Sequence, residues 1–185
     1  MAQKKILVGR IQPKKRRFEE IARDYRHAVF SVVRIRQGTN GAQASPLGSG
    51  FFVSSTVFFT CQHVINHPGS PHVDGDMYHL VGNFSGTGGM VHTVVGTIGQ
   101  NIFLYPYNDS ALIILKATTN QPFVSIAAAG AEQGQEIGVA GYPLPQLQAP
   151  GGNLTYAGMI YRVGRGAITA LYDTTTHLIN DEAGF

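Results

Sequence analysis

The chain has 185 residues, a length that suits one domain or two small barrels that share an interface. Its composition is globular, with 43% hydrophobic and 14% charged residues, and it provides enough apolar material for a core. A single cysteine, Cys61, excludes an intrachain disulfide, so the fold does not depend on an oxidising compartment.

The positive charge is concentrated near the N-terminus. Residues 1–36 carry 11 Lys and Arg against 3 acidic residues, whereas residues 37–185 carry 3 against 8, for a formal net charge of +3. A basic arm over residues 1–17, which ends in Lys14-Lys15-Arg16-Arg17, therefore precedes a mildly acidic body. One basic cluster without interleaved aromatic residues is typical of a solvated arm, which leaves nucleic acid a weak candidate partner.

The N-terminal residues show no targeting signal. They contain no apolar run long enough for a signal peptide, and no stretch of the chain approaches the length of a membrane span. The first 30 residues contain no serine, which argues against a transit peptide. We therefore expect a cytoplasmic protein without a membrane partner.

The first predicted element is a short helix over residues 18–25. Its apolar residues have helical spacing, and its acidic residues stand early, where they match the helix dipole. Alternating residues predict the first strand over Ala28–Ile35, and a composition rich in turn residues predicts a loop over 37–49. Further strands are predicted over 50–54, 57–60, 78–84, 91–98, 111–116, 136–142, 154–163, 166–172 and 177–180.

Many short strands with little helix between them predict an all-β barrel or sandwich. The 23 glycines agree with the many turns that such a fold needs. A boundary near residues 117–122 divides the chain into two β halves. We predict a basic arm and short helix over residues 1–27, a first β-barrel over 28–117 and a partial second β-barrel over 118–185.

The most informative segments surround His63. The run Gly48-Ser49-Gly50-Phe51-Phe52-Val53 is followed by Phe58-Phe59-Thr60-Cys61-Gln62-His63-Val64-Ile65. A rigid apolar strand would let His63 project from its end into a cleft. Together the two runs resemble the first-barrel signature of trypsin-like serine proteases, in particular the Deg/HtrA branch. The resemblance implies that His63 is the catalytic histidine.

Two further segments extend the resemblance. Asn108-Asp109-Ser110-Ala111-Leu112-Ile113-Ile114-Leu115-Lys116 is similar to the family's Asp-x-Ala-Leu-Leu segment, which implies that Asp109 is the triad aspartate. Asp109 follows His63, as in the order His, Asp, nucleophile of chymotrypsin. Gly138-Val139-Ala140-Gly141-Tyr142-Pro143 looks like the strand that opens the family's second barrel, and it supports the architecture only.

The fourth segment is Asn180-Asp181-Glu182-Ala183-Gly184-Phe185. Family members carry Gly-x-Ser-Gly at the nucleophile, and Gly184-Phe185 fits the two residues before the serine. The resemblance then implies that the nucleophilic serine follows Phe185 and that Gly184 contributes an N–H to the oxyanion hole. A glycine suits that position because no Cβ obstructs the N–H.

The resemblance covers residues 28–185. It implies two six-stranded antiparallel β-barrels of the chymotrypsin fold, the second incomplete, preceded by a short N-terminal helix. The implied activity is hydrolysis of a polypeptide substrate, with His63 as general base and Asp109 as its orienting partner. No cofactor or metal is expected. Because the implied nucleophile lies beyond Phe185, we expect the 185-residue chain alone to be inactive.

Three alternatives remain open: a protease-like binding module without catalysis, a fragment of a longer protein, and a cysteine in place of the serine, as in viral proteases of this fold. A metal cluster is also conceivable, but its loop context and Pro68 argue against it. Its candidate ligands are His63, His67, His72, Asp74, Asp76 and His79. Cys61 is predicted to be a small buried core residue that points away from His63.

Overall fold

The computed structural model describes residues 17–39, 41–84, 88–126, 133–134, 136–142, 146–148, 155–157 and 161–167. Its helices are α1 (Phe18–Tyr25) and α2 (Gln62–Ile65). Its strands are β1 (Val29–Gly38), β2 (Gly41–Phe52), β3 (Val57–Cys61), β4 (Met77–Phe84), β5 (Gly88–Val95), β6 (Ile102–Tyr105), β7 (Ser110–Ile114), β8 (Glu136–Gly141), β9 (Gln146–Gln148), β10 (Thr155–Ala157) and β11 (Arg162–Ala167). Within these ranges, no helix combines the length and apolar character that a membrane crossing requires. The predicted basic arm, apart from Arg17, lies outside the described residues.

Helix α1 occupies the residues that the sequence predicted. Glu19 and Glu20 stand in its first turn and Arg23 in its last, which matches the helix dipole. The Glu20 carboxylate accepts a hydrogen bond from the backbone N–H of Arg17 at 3.4 Å and so satisfies one of the unpaired donors at the helix start. The helix leads through a 3-10 turn at Arg26–Ala28 into β1.

Seven strands form one curled antiparallel sheet in the order β5-β4-β1-β2-β3-β7-β6, which confirms the predicted all-β class. The core is centred on three fully buried aromatic rings: the Phe52 ring centroid lies 5.2 Å from those of Phe30 and Phe58, in edge-to-face geometry that aromatic pairs favour. The rest of this cluster comprises Val32, Val64, Ile65, Tyr78, Leu80, Val94, Ile102, Ala111 and Ile113.

The predicted loop over residues 37–49 is wrong, because most of it belongs to β2, a strand of 12 residues. The small and polar residues of this segment show no strand pattern. The strand forms because its backbone pairs with β1 from Gly41 to Phe51. The register shifts between Val32 and Val33, which pair with Gly48 and Pro46. Proline has no N–H to donate, and such an irregularity is where a sheet tolerates it.

The remaining strands form two antiparallel pairs outside the large sheet, β8 with β11 and β9 with β10. Strand β8 was predicted to within one residue, whereas the predicted strand over 154–163 corresponds to the separate strands β10 and β11. The predicted strand over 177–180 lies outside the described residues, as does the part of 166–172 that follows Ala167. The division into two barrels stays a prediction.

Candidate active site

The end of β3 positions His63. The strand stops at Cys61, and one turn of helix, α2, begins at Gln62. Val64 and Ile65 from this turn are buried in the core, so packing fixes the backbone directly after His63. The side chain of His63 itself remains 57% exposed, and it can therefore meet a ligand from solution.

The start of β7 positions Asp109. A 3-10 turn at Pro106–Asn108 ends at Asp109, whose φ of 47° and ψ of 44° place it in the left-handed region. Aspartate is one of the few non-glycine residues that visit this region with any frequency. The Asp109 carbonyl accepts a hydrogen bond from the Gln62 N–H at 3.0 Å. The β3–α2 and β6–β7 connections are thus tied together next to His63.

His63 and Asp109 make two hydrogen bonds to each other. Nδ1 of His63 lies 2.6 Å from Oδ2 of Asp109, and the backbone N–H of His63 donates to Oδ1 at 3.0 Å. An ionised carboxylate can only accept, so Nδ1 carries the proton, and in the neutral form of the imidazole Nε2 is the acceptor. The sequence predicted this side-by-side placement, and the structure brings the two residues together.

Asp109 is held in its charged form. Partial burial alone would raise the pKa of its carboxyl, but the hydrogen bonds from the backbone and side chain of His63 and the interaction with the His63 charge outweigh burial, so the pKa lies below its ordinary value. Neutral pH therefore finds an anion beside the imidazole. That anion fixes the tautomer and stabilises an imidazolium when the ring takes up a proton.

The prediction for Cys61 is wrong. The residue is exposed, because the strand ends there and the helical turn brings His63 back toward it. One ligand atom each from Cys61, His63 and Asp109 lie within 4.8 Å of one another. Partial burial and then the negative charge of Asp109 raise the pKa of the thiol, so the site does not activate Cys61 as a thiolate nucleophile.

Ser110 and Ser125 differ in burial. Ser110, which follows Asp109, is buried, and its hydroxyl bonds to Oδ1 of Asn108 at 2.6 Å. Ser125 is exposed. The oxyanion-hole candidate Gly184 lies outside the described residues, so its role stays a prediction.

Two of the other candidate ligands, Asp76 and His72, belong to a buried polar network. Asp76 is 3% exposed and accepts a bidentate pair of hydrogen bonds from Arg36 at 2.6 and 2.5 Å. His72 lies beside it and contacts the Tyr78 hydroxyl at 2.7 Å. Among the residues that the structure describes, the grouping suited to a metal is instead Cys61, His63 and Asp109. The pairing of Arg36 with Asp76, the residue before β4, was not predicted from the sequence, because 40 residues separate them.

Two of the segments that carry the family resemblance, residues 48–53 and 138–143, meet at Ser49 and Tyr142. Ser49 Oγ accepts a hydrogen bond from the Tyr142 N–H at 2.8 Å. An open cavity of about 630 Å³ is lined by residues 46–49, 139–142 and 162–164. A Cβ on Gly48 would come within 2.8 Å of Val64, the neighbour of His63, so one residue of the cavity lining packs against the turn that carries the imidazole.

In comparisons with known proteins, no family model matches the chain and no curated protein is significantly similar to it.

Proposed function

We propose that this chain is the major part of a peptidase domain of the chymotrypsin fold, with a first barrel formed by the seven-stranded sheet and a second barrel to which β8–β11 belong. The observation that carries the proposal is the contact of 2.6 Å between His63 Nδ1 and Asp109 Oδ2. A His–Asp pair in this orientation is the base and orienting partner of a serine-type triad.

The proposed chemistry begins at Nε2 of His63. This nitrogen takes the proton from a nucleophilic hydroxyl as the oxygen attacks a peptide carbonyl, and it returns that proton to the leaving amine. Asp109 keeps the proton on Nδ1 and balances the positive charge of the imidazolium that forms in between. The substrate class is a polypeptide, and the cavity beside Gly48 and Tyr142 offers an open surface for it.

The proposed mechanism needs a nucleophile, and we propose, from the resemblance of Gly184-Phe185 to the family's Gly-x, that it is the next residue. Extending residues 1–185 by the residues that the gene encodes after Phe185 tests this. The extended protein is expected to react with a fluorophosphonate probe, and His63→Ala is expected to abolish the reaction. The matched variant His67→Ala, which alters an exposed histidine four positions further on, should label normally.

Asp109→Asn sharpens the same test. Asparagine also tolerates the left-handed backbone, but its amide cannot enforce the required tautomer, and the rate of labelling should fall by about 10⁴-fold. Equal labelling of His63→Ala and the unmodified protein would overturn the proposal, as would a codon after Phe185 for neither serine nor cysteine. Labelling of the 185-residue chain itself would move the nucleophile to a serine within it, such as Ser110 or Ser125.

A further inference from the structure

The neighbourhood of Cys61 contains a set of three potential metal ligands. A thiol, an imidazole and a carboxylate come together from two chain segments, with one ligand atom of each within 4.8 Å of the others. Strand pairing fixes this arrangement: Cys61 is the register partner of Ser110, so Asp109 comes next to it in space. The thiol is the chain's single cysteine, and it stands where the strand ends.

The ligand set matches the preferences of zinc. Thiolate sulfur, imidazole nitrogen and carboxylate oxygen are the groups that bind Zn²⁺, and three protein ligands with an open fourth position are typical of accessible zinc sites. Hard cations such as Mg²⁺ and Ca²⁺ prefer oxygen ligands throughout. The thiolate and the carboxylate together would neutralise the charge of the divalent ion, and the thiol proton would be released to solvent.

Binding requires only local movement. Metal–ligand distances of about 2.0–2.3 Å place the ligand atoms of a tetrahedral site roughly 3.3–3.8 Å apart. The largest present spacing, which is up to 4.8 Å, must therefore shrink by about 1–1.5 Å. The side chains of His63 and Asp109 are 57% and 52% exposed, so they can rotate without disturbing the core.

We propose that Cys61, His63 and Asp109 form a site for a thiophilic divalent cation, Zn²⁺ or a close relative, with one coordination position open. Metal binding rests on the geometry alone. Its consequence for activity rests on the proposed function: metal bound by this set occupies the same imidazole and carboxylate that would serve as base and orienting partner. The metal-bound form would therefore be an inhibited form, and removal of the metal would restore the pair.

Titration of the 185-residue chain with Zn²⁺ by calorimetry tests the site. The reduced protein should bind about one Zn²⁺, and Co²⁺ should give the absorption band of a thiolate–cobalt bond. Cys61→Ser should abolish the cobalt band, and both Cys61→Ser and Asp109→Asn should weaken Zn²⁺ binding by about tenfold or more. His67→Ala is the matched control and should bind as the unmodified chain does. Melting temperatures measured with a chelator present check that each variant is folded.

The possible outcomes distinguish failure of the metal site from failure of the proposed peptidase activity. Unchanged affinity in Cys61→Ser, or cobalt binding without a thiolate band, would overturn the metal site while leaving the His–Asp pair in place. Failure of the extended protein to label in the presence of chelator would overturn the peptidase and leave the metal titration untouched. If both proposals hold, Zn²⁺ should suppress labelling of the extended protein, and chelator should restore it.

Discussion

The seven-stranded sheet and the smaller β8–β11 region differ in how completely their apolar side chains are buried. The large sheet surrounds a continuous cluster of fully buried apolar side chains. In β8 and β11, by contrast, Val139 is 65% exposed and Ile137 and Val163 are also exposed. Tyr142, which follows β8, is a buried anchor at 1% exposure. In the described part of the chain, contacts such as those of Tyr142 with Ser49 and of Arg165 with Glu19 attach the small region to the sheet and to α1.

The two regions would contribute different groups to the proposed catalytic site. His63 and Asp109 both project from the large sheet, and their mutual hydrogen bonds involve no residue of the small region. The proposed base and its orienting partner therefore need only the better-packed part of the molecule. A nucleophile and oxyanion donors on the small region would have to be brought to them through attachments such as the one between Ser49 and Tyr142.

The largest expected contrast is between buried and exposed apolar residues of the two regions. Phe52→Ala should lower the free energy of unfolding by about 3–5 kcal/mol, because it leaves a cavity at the centre of the core. Val139→Ala should change it by no more than about 0.5 kcal/mol. Urea denaturation followed by circular dichroism measures both. Should Phe52→Ala fail to fold, Phe52→Leu offers a smaller measurable loss, and equal effects of the Phe52 and Val139 variants would contradict the comparison.

The next largest loss of stability is expected when the buried ion pair of Asp76, the residue before β4, is broken. Asp76→Asn leaves Arg34, which is 4% exposed, and Arg36 without their carboxylate, and should cost about 3 kcal/mol at neutral pH. Asp74→Asn is the matched control, because the Asp74 side chain is 75% exposed and should contribute about 0–1 kcal/mol. Equal losses of unfolding free energy for the two variants in urea denaturation would show that the buried carboxylate contributes no more than the exposed one.

The same carboxylate predicts the acid response. Burial alone would raise the pKa of Asp76, but hydrogen bonds from Arg36 and Val73 and the charges of Arg36 and Arg34 lower it below its ordinary value. Its stabilisation is therefore present above the unfolded pKa of about 3.9 and is lost as the pH falls through the lower folded value. The difference in unfolding free energy between the unmodified chain and Asp76→Asn should stay constant above about pH 5 and shrink below pH 4. A difference that grew in acid would reverse the assigned direction.

Whether an element of the fold or the site could be predicted from the sequence depended on the interactions that stabilise it. Apolar spacing was enough for α1, and the motifs around His63 and Asp109 were enough to predict their contact. Strand β2 was missed because small residues conceal an order that comes from pairing with β1. Strand β6, Ile102–Tyr105, was missed because four residues give too little periodicity. The exposed Cys61 was missed because nothing in the apolar run indicates that the strand ends there.

Glycine-to-alanine substitutions in the two regions should also differ in their effect on stability, by a smaller amount. A Cβ on Gly50 would lie 2.4 Å from the Phe59 carbonyl oxygen and 2.6 Å from the Phe58 ring, whereas one on Gly164 would have no neighbour within 4 Å. Gly50→Ala should therefore cost about 1–3 kcal/mol through overpacking, and Gly164→Ala should be within about 0.5 kcal/mol of the unmodified chain. Melting temperature and urea denaturation measure both changes. A neutral Gly50→Ala would mean that β2 and β3 can separate at little cost.

The smallest expected effect concerns the attachment between the two regions. Ser49 Oγ accepts from the Tyr142 N–H at 2.8 Å and donates to the Tyr142 carbonyl at 3.3 Å. Ser49→Ala removes both bonds and should cost about 1 kcal/mol, whereas Ser125→Ala, at an exposed serine, should cost less than about 0.5 kcal/mol. Because the change lies between the regions, hydrogen exchange should rise at Tyr142 and along β8 while the amides of β3 and β7 keep their protection. Equal deprotection of β3 and β7 would show that the two regions unfold as one unit. The His63–Asp109 pair would then depend on the small region after all.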